Sequence, residues 1–455
     1  MKSTLIALLM MLGAPLAQAE DASGHWKGRI ANSLDVFLAV GKTPHGQWEG
    51  TLSVPQQGAK FKVEQLAVSE ERIEFKLAAL NAGFTARWSE GDKAWVGTWS
   101  QGGQGTSLNL QRVEATAAKP KRPQIDAIAA RAASYTSSDV SFANPVDGHT
   151  LSGTLSVPRG MGPFPAVVLV HGSGPLDRDE KVFEHKPFLV LADHLNRQGI
   201  AVLRYDKRGV GKSGGVYKGA TSMDFAADAE AAVGFLRGRP DTGSIGIVGH
   251  SEGGLIAPIV ASRDPKLAFV VMLAGPGVRG ELLMVEQLAL GAKANGMPDA
   301  MVAKEREVNR TLLAALAAEP QLDKAGDKAR QALGALEAKG MLPAGSAAAR
   351  VQPFATPWFH AFLRHEPGPV LQSLRQPVLA LNGERDLQVP ADLDLAAIRT
   401  ALKNNPRALV KEMPGLNHLF QTAPTGAGSK YYTIEETMAP SVLETVGNWI
   451  LATVQ

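Results

Sequence analysis

At 455 residues, 45% hydrophobic and 20% charged, the chain is too long for one small domain and carries ample apolar material for two. A net charge of +3, with both signs mixed along the chain and no basic stripe interleaved with aromatics, argues against a nucleic-acid partner. The absence of cysteine excludes disulfides, thiol catalysis and lipoprotein attachment.

The first residues carry a targeting pattern. Lys2 supplies a short positive segment, Leu5 to Leu16 an apolar core, and Ala17-Gln18-Ala19 a small-residue cleavage site. Residues 1–19 are therefore expected to be a signal peptide cleaved before Glu20, with the mature protein exported, either periplasmic or secreted. The apolar run is short for a bilayer span, so no integral membrane segment is expected after cleavage.

Residues 20–114 read as a β-rich domain. LDVFLAV, EGTLSVP, FKVEQLAV, RIEFKLAAL, FTARWSE, AWVGTWS and TSLNLQRV are short runs of period two separated by turn residues. The spacing suggests a small antiparallel barrel or sandwich. Five of the seven tryptophans (Trp26, Trp48, Trp88, Trp95 and Trp99) fall here. They are either an aromatic ligand-binding face or barrel core, and packing is the favoured role for indoles in such a pattern. Residues 115–136 lose the pattern; Pro120 and Pro123 beside basic residues mark a linker ending in a short helix.

Residues 137–455 alternate strands and helices. DVSFANP and HTLSGTLSVP form a hairpin around Asp147-Gly148. PAVVLVHG, IAVLRYD, SIGIVG, Leu267–Leu273 and PVLALNG read as buried strands, with helices expected at Phe188–Arg197, Met223–Arg237, Gly253–Arg263 and Ala391–Leu402. ALVKEMPG and a helix near Ile434–Thr453 complete the series. Between about 280 and 368 the rhythm breaks into helical spacing ending in PFATPWFHAFL, which reads as a lid over the strand ends. Ligands bind at that edge in open α/β sheets.

The pattern G-x-S-x-G occurs twice, around Ser213 and around Ser251. Ser251 lies between an apolar strand and an apolar helix, where a sharp elbow lifts the hydroxyl to the sheet edge and needs glycine at 249 and 253. Ser213 follows the charged run YDKRG, which reads as an exposed turn, and no helix follows it. A phosphate loop is excluded at the same place, because Asp206 stands where its first glycine is required.

A serine nucleophile needs an imidazole to take its proton and a carboxylate to hold the ring, and in a sheet of this kind the acid and then the histidine follow in the chain. His418, in the loop PGLNHLF before the last helix, fits the base, whereas His360 and His365 fall in the lid. Asp386, beyond PVLALNG, fits the acid; Glu384 is its rival. The oxyanion requires preorganised N–H donors. Glu252, directly after the nucleophile, is one; Ser173 in the loop HGSG is the other, with Gly172 as the alternative. His171 and His250 read as loop braces. Phe354, Trp358, Phe359 and Phe362 either line an acyl pocket or pack within the lid.

HGSGPLDRDE, YDKRGVGKSGG, GHSEGG, LNGERDLQVP and GLNHLF, in this order, resemble the α/β-hydrolase superfamily. The chain is most similar to bacterial secreted esterase-like serine hydrolases, related to dienelactone-hydrolase and prolyl-oligopeptidase-type catalytic domains. Some of these carry an N-terminal extension like residues 20–114. The resemblance implies Ser251 as nucleophile, Asp386 as acid and His418 as base. It also implies hydrolysis of a small-molecule carboxylic ester without cofactor or metal. Peptidases, thioesterases and acyltransferases share the fold, and an inactive hydrolase-like binding protein is the remaining alternative.

Overall fold

A computed structural model describes residues 22–30, 34–57, 59–115, 120–130 and 134–455. The signal peptide expected at 1–19 lies outside the described residues. The chain divides into two compact units, Met1–Pro120 and Lys121–Gln455.

The first unit is one antiparallel sheet. Its strands are β1 (Gly24–Ile30), β2 (Leu34–Lys42), β3 (Trp48–Val54), β4 (Ala59–Lys62), β5 (Glu64–Val68), β6 (Arg72–Leu77), β7 (Ala82–Ser89), β8 (Ala94–Gln101) and β9 (Gln104–Val113). They pair in the order β4-β3-β2-β1-β9-β8-β7-β6-β5. The two edge strands, β4 and β5, are separated only by Val63, whose N–H donates to the Gly50 carbonyl of β3 at 2.9 Å. The sheet therefore curls until its ends meet, giving a nearly closed barrel, and FKVEQLAV is two strands rather than one. Trp26, Trp95 and Trp99 are buried, and Trp26 meets both Trp88 and Trp95 edge-on at centroid separations of 5.9 and 6.0 Å. These indoles form the barrel core, where edge-to-face packing suits their quadrupoles.

In the second unit, β10 (Tyr135–Ala143), β11 (Thr150–Pro158), β12 (Phe164–Val170), β13 (Ala201–Tyr205), β14 (Thr242–His250), β15 (Val270–Leu273), β16 (Val378–Gly383) and β17 (Ala408–Met413) form one sheet. The order is β10-β11-β13-β12-β14-β15-β16-β17, antiparallel through β11–β13 and parallel from there on. This is the α/β-hydrolase fold. The helices are α1 (Pro123–Ala130), α2 (Pro187–Arg197), α3 (Ser222–Arg237), α4 (Glu252–Arg263), α5 (Gly280–Ala294), α6 (Asp299–Ala318), α7 (Leu322–Ala338), α8 (Ala347–Val351), α9 (Pro357–Arg364), α10 (Pro367–Ser373), α11 (Ala391–Ala401) and α12 (Pro440–Val454). Alternation along β12 divides the core. Val167 and Leu169 pack with Phe188 of α2 and Val446 of α12; Val168 and Val170 pack with Phe225 of α3 and Ile256 of α4.

Three boundaries differ from the sequence reading. Arg122, placed in the linker, is buried and donates to the carbonyls of Phe183, Tyr432 and Ile434 at 2.8, 2.9 and 3.0 Å. Together with α1 it belongs to the second unit. The last helix starts at Pro440 rather than near Ile434, because proline at the first helical position lacks only an N–H that would be unpaired there anyway. The helical insertion between β15 and β16, expected as a lid, comprises α5–α10, and a limit at 368 cuts through α10, which packs against α4 and α11. Among the described residues no helix is long and apolar enough to cross a membrane.

Candidate active site

Ser251 stands at the junction of β14 and α4 with φ +53° and ψ −118°, a conformation that L-residues rarely adopt. The surroundings hold it there. Its N–H donates to the Leu273 carbonyl at 2.8 Å, and its carbonyl accepts from Gly254 N–H at 2.8 Å. A Cβ at 249 would lie 1.9 Å from the Gly253 carbonyl oxygen, and one at 253 would lie 2.0 Å from that of Val170. Both glycines are therefore required by backbone contact. The Ser251 hydroxyl makes no capping bond to α4.

The other G-x-S-x-G has another use. Ser213 is buried; its hydroxyl donates to the Asp206 carbonyl at 2.6 Å and accepts from Ser152 N–H at 2.9 Å. The run YDKRG is not the exposed turn expected from its charges. Asp206, Lys207 and Arg208 are all buried, because each finds a partner: Arg178 at 2.8 Å, Glu252 at 3.3 Å and Asp228 at 2.7 Å respectively.

Asp386 and His418 come together from loops 32 residues apart, His418 Nδ1 lying 2.7 Å from Asp386 Oδ2. The other carboxylate oxygen accepts from the N–H groups of Gln388 and Val389 at 2.8 and 2.9 Å, which fixes the acid. Glu384 is exposed and turns away; its Oε2 accepts from Gly415 N–H at 2.6 Å. Ser251, His418, Ser173, Gly172 and Glu252 all line one cavity of about 290 Å³. Leu176, Val182, Leu283, Met284, Trp358, Phe359, Phe362 and Val389 supply most of its apolar wall. Phe354 does not reach it and instead packs edge-on against Phe359 with centroids 5.1 Å apart, so of the four lid aromatics three border the cavity.

Of the two candidate donors in HGSG, Gly172 N–H is already engaged, donating to Glu180 Oε1 at 2.6 Å. Ser173, the next residue of the loop, lines the cavity. Glu252 is the first residue of α4, where backbone N–H groups have no intrahelical acceptor. His250 ties two loops together, whereas His171 packs against a helix residue and a strand residue. His250 Nδ1 is 3.1 Å from Glu180 Oε1, and its Nε2 is 3.0 Å from the His418 carbonyl oxygen. Burial disfavours its charge, but the Glu180 carboxylate and these bonds outweigh burial and raise its pKa. His171 meets the Phe188 ring at a tilt and the Tyr205 ring edge-on, and burial together with the nearby Lys207 charge lowers its pKa to about 4.

Sequence reasoning missed three participants. Glu180 ties the HGSG loop to His250. The Glu252 side chain is buried and accepts from Ser222 Oγ at 2.6 Å and from the lid residue Trp358 Nε1 at 2.7 Å. Lys207 bonds both Glu252 and the Gly172 carbonyl.

The serine aminopeptidase S33 family model matches residues 163–360, a span that includes Ser251 and ends before Asp386 and His418. Esterase EstD of Thermotoga maritima is 40% identical over 149 residues, covering 32% of this chain and 36% of the relative's length. The chain thus matches little more than a third of that curated relative. Among solved structures, the Pyrococcus furiosus esterase Pf2001 is 18% identical, with 70% of this chain and 93% of that chain covered and a TM-score of 0.42. Est1E from Butyrivibrio proteoclasticus, solved with ferulic acid bound, is 17% identical over 69% of this chain and 99% of that chain, also with a TM-score of 0.42.

Proposed function

We propose that this chain, an α/β-hydrolase with an esterase-like sequence and a preceding β domain, is a serine hydrolase that cleaves small carboxylic esters through an acyl-enzyme. The observation that carries the reading is the convergence on one cavity of a strained serine elbow and a histidine whose Nδ1 is held by a buried carboxylate. Ser251 Oγ attacks the ester carbonyl as His418 Nε2 takes its proton. The carbonyl oxygen, now anionic, lies between the N–H groups of Ser173 and Glu252. Collapse breaks the C–O bond, and the proton passes from His418 to the leaving alkoxide. A water, deprotonated by His418, then attacks the acyl-enzyme and releases the acid. Asp386 keeps the Nδ1 hydrogen in place and stabilises the imidazolium in both halves.

The test is labelling by a fluorophosphonate probe. Wild type should react and Ser251→Ala should not; a folded wild type that stays unlabelled overturns the enzyme reading. The S33 match gives an amide substrate some weight. Matched nitrophenyl esters and anilides separate the two, ester cleavage being expected to dominate. Export by a signal peptide at 1–19 is part of the proposal, and N-terminal sequencing of the mature protein, expected to begin at Glu20, tests it.

A further inference from the structure

Lys207 lies two residues beyond the end of β13, at the sheet edge that carries Ser251, and is almost completely buried. Its ammonium group meets two oxygens and two aromatic rings, the Tyr217 centroid lying 5.8 Å away. Nζ lies 2.8 Å from the Gly172 carbonyl oxygen, 3.3 Å from Glu252 Oε2 and 4.1 Å from the centroid of the Phe225 ring. A buried lysine is costly unless its charge is compensated, and here the compensation comes from the residue next to the nucleophile.

The Gly172 carbonyl belongs to the same peptide unit as the Ser173 N–H. Across a trans peptide the C=O and N–H point in opposite directions. Holding the carbonyl on Lys207 therefore aims the N–H the other way. A charge-assisted bond to the carbonyl also polarises the amide and makes its N–H a stronger donor. The preceding peptide is pinned independently through Gly172 N–H to Glu180 Oε1 at 2.6 Å. On the other side, Lys207 neutralises the Glu252 carboxylate, a negative charge that would otherwise oppose an oxyanion forming beside that residue's own N–H.

We propose that Lys207 is the positioning residue of the oxyanion hole, orienting and polarising the Gly172–Ser173 peptide while cancelling the Glu252 charge. It acts through the peptide and does not touch substrate. The inference rests on the reading of Ser173 and Glu252 N–H as the oxyanion donors.

Lys207→Met should lower kcat on a nitrophenyl ester about 10- to 100-fold, short of the full loss of a donor, with KM within about twofold. Affinity for a trifluoromethyl ketone, which forms the anionic tetrahedral adduct, should fall by the same factor, whereas binding of the corresponding alcohol should not change. Because the single variant leaves Glu252 unpaired, Lys207→Met/Glu252→Gln is measured beside it. With no lone buried charge it should fold, as read by thermal melting, and remain as slow. Wild-type kcat and ketone affinity in either folded variant, or a raised KM with unchanged kcat, would overturn the proposal. Ser173→Pro, which deletes the N–H itself, separates the two levels. If it keeps wild-type kcat, the oxyanion assignment is wrong. If it is slow while the Lys207 variants are fast, only the role of Lys207 is wrong.

Discussion

Replacing Asp386 by asparagine tests the acid with almost no change of shape. In the folded chain, Oδ1 accepts two backbone N–H groups, from Gln388 and Val389, while Oδ2 faces His418 Nδ1 at 2.7 Å. An asparagine keeps its oxygen on the two N–H groups, because the alternative orientation sets an NH₂ against two donors. Its NH₂ must then face His418 Nδ1. That nitrogen becomes an acceptor, the ring hydrogen moves to Nε2, and the base can no longer take the Ser251 proton. An inverted tautomer of this kind costs about 10⁴ in kcat in serine proteases, and about 10³- to 10⁴-fold is expected here, equal to roughly 4–5.5 kcal/mol on the barrier. KM should stay within about threefold, and stability should fall by no more than about 2 kcal/mol, since one charge-assisted bond is lost and two others persist. Initial rates on nitrophenyl butyrate, with protein folding checked by melting, give the answer. A folded Asp386→Asn with kcat within tenfold of wild type would refute the reasoning. Glu384→Gln, altering an exposed carboxylate bonded to Gly415, should leave kcat within about twofold.

Asp394 is buried, its Oδ2 unpartnered, and burial raises its pKa from 3.8 to about 7 although Gly277 N–H donates to Oδ1 at 2.7 Å. The folded state thus holds a proton that the unfolded state has released, and stability is lost as pH rises from 3.8 to 7, by up to about 4 kcal/mol. Asp394→Asn should therefore gain on wild type between pH 5 and pH 8 in urea melts, and a pH-independent difference would contradict this. Ser213→Ala deletes bonds to Asp206 and Ser152 and should lose about 1–3 kcal/mol in thermal or urea melts, yet still be labelled by fluorophosphonate. Trp358→Phe removes the lid bond to Glu252 and trims one cavity wall, so preference across a nitrophenyl ester series should move toward longer acyl chains while the acetate rate changes less than about threefold; an unchanged chain-length profile would count against Trp358 as a wall.

What was legible in the sequence was what depends on neighbours in the chain. The elbow at Ser251 could be told from the turn at Ser213 because a strand before and a helix after are local signals. The break in alternation located the helical insertion, and period two located the β domain. What depends on distant partners was hidden. Charged residues after β13 looked exposed because exposure is the default for charge; only the fold brings Arg178, Glu252 and Asp228 to them. Phe354 and Phe359 have the same composition signal, but Phe359 lies on α9 and borders the cavity, whereas Phe354, in the turn before that helix, packs against Phe359 and does not reach it. Closure of the barrel at Val63 was equally invisible, since a continuous β pattern runs through it.

The two G-x-S-x-G matches now have different physical causes and one joint consequence. Around Ser251 the glycines are required because β14, α4 and the neighbouring strand backbones come together, leaving no space for a Cβ. Around Ser213 the demand is different: Gly211 has φ +55°, and a Cβ there would lie 2.5 Å from Asp206 Oδ2. That turn folds back on the strand end, with Lys212 N–H on the Asp206 carboxylate at 3.0 Å and the Ser213 hydroxyl on the Asp206 carbonyl at 2.6 Å. The carbonyl so held is the acceptor half of the peptide that leads into Lys207. The second motif thus fixes the backbone from which Lys207 reaches the Gly172 carbonyl and the Glu252 carboxylate. A loosened turn at Ser213 should therefore be felt as a slower kcat before it is felt as a change in substrate affinity.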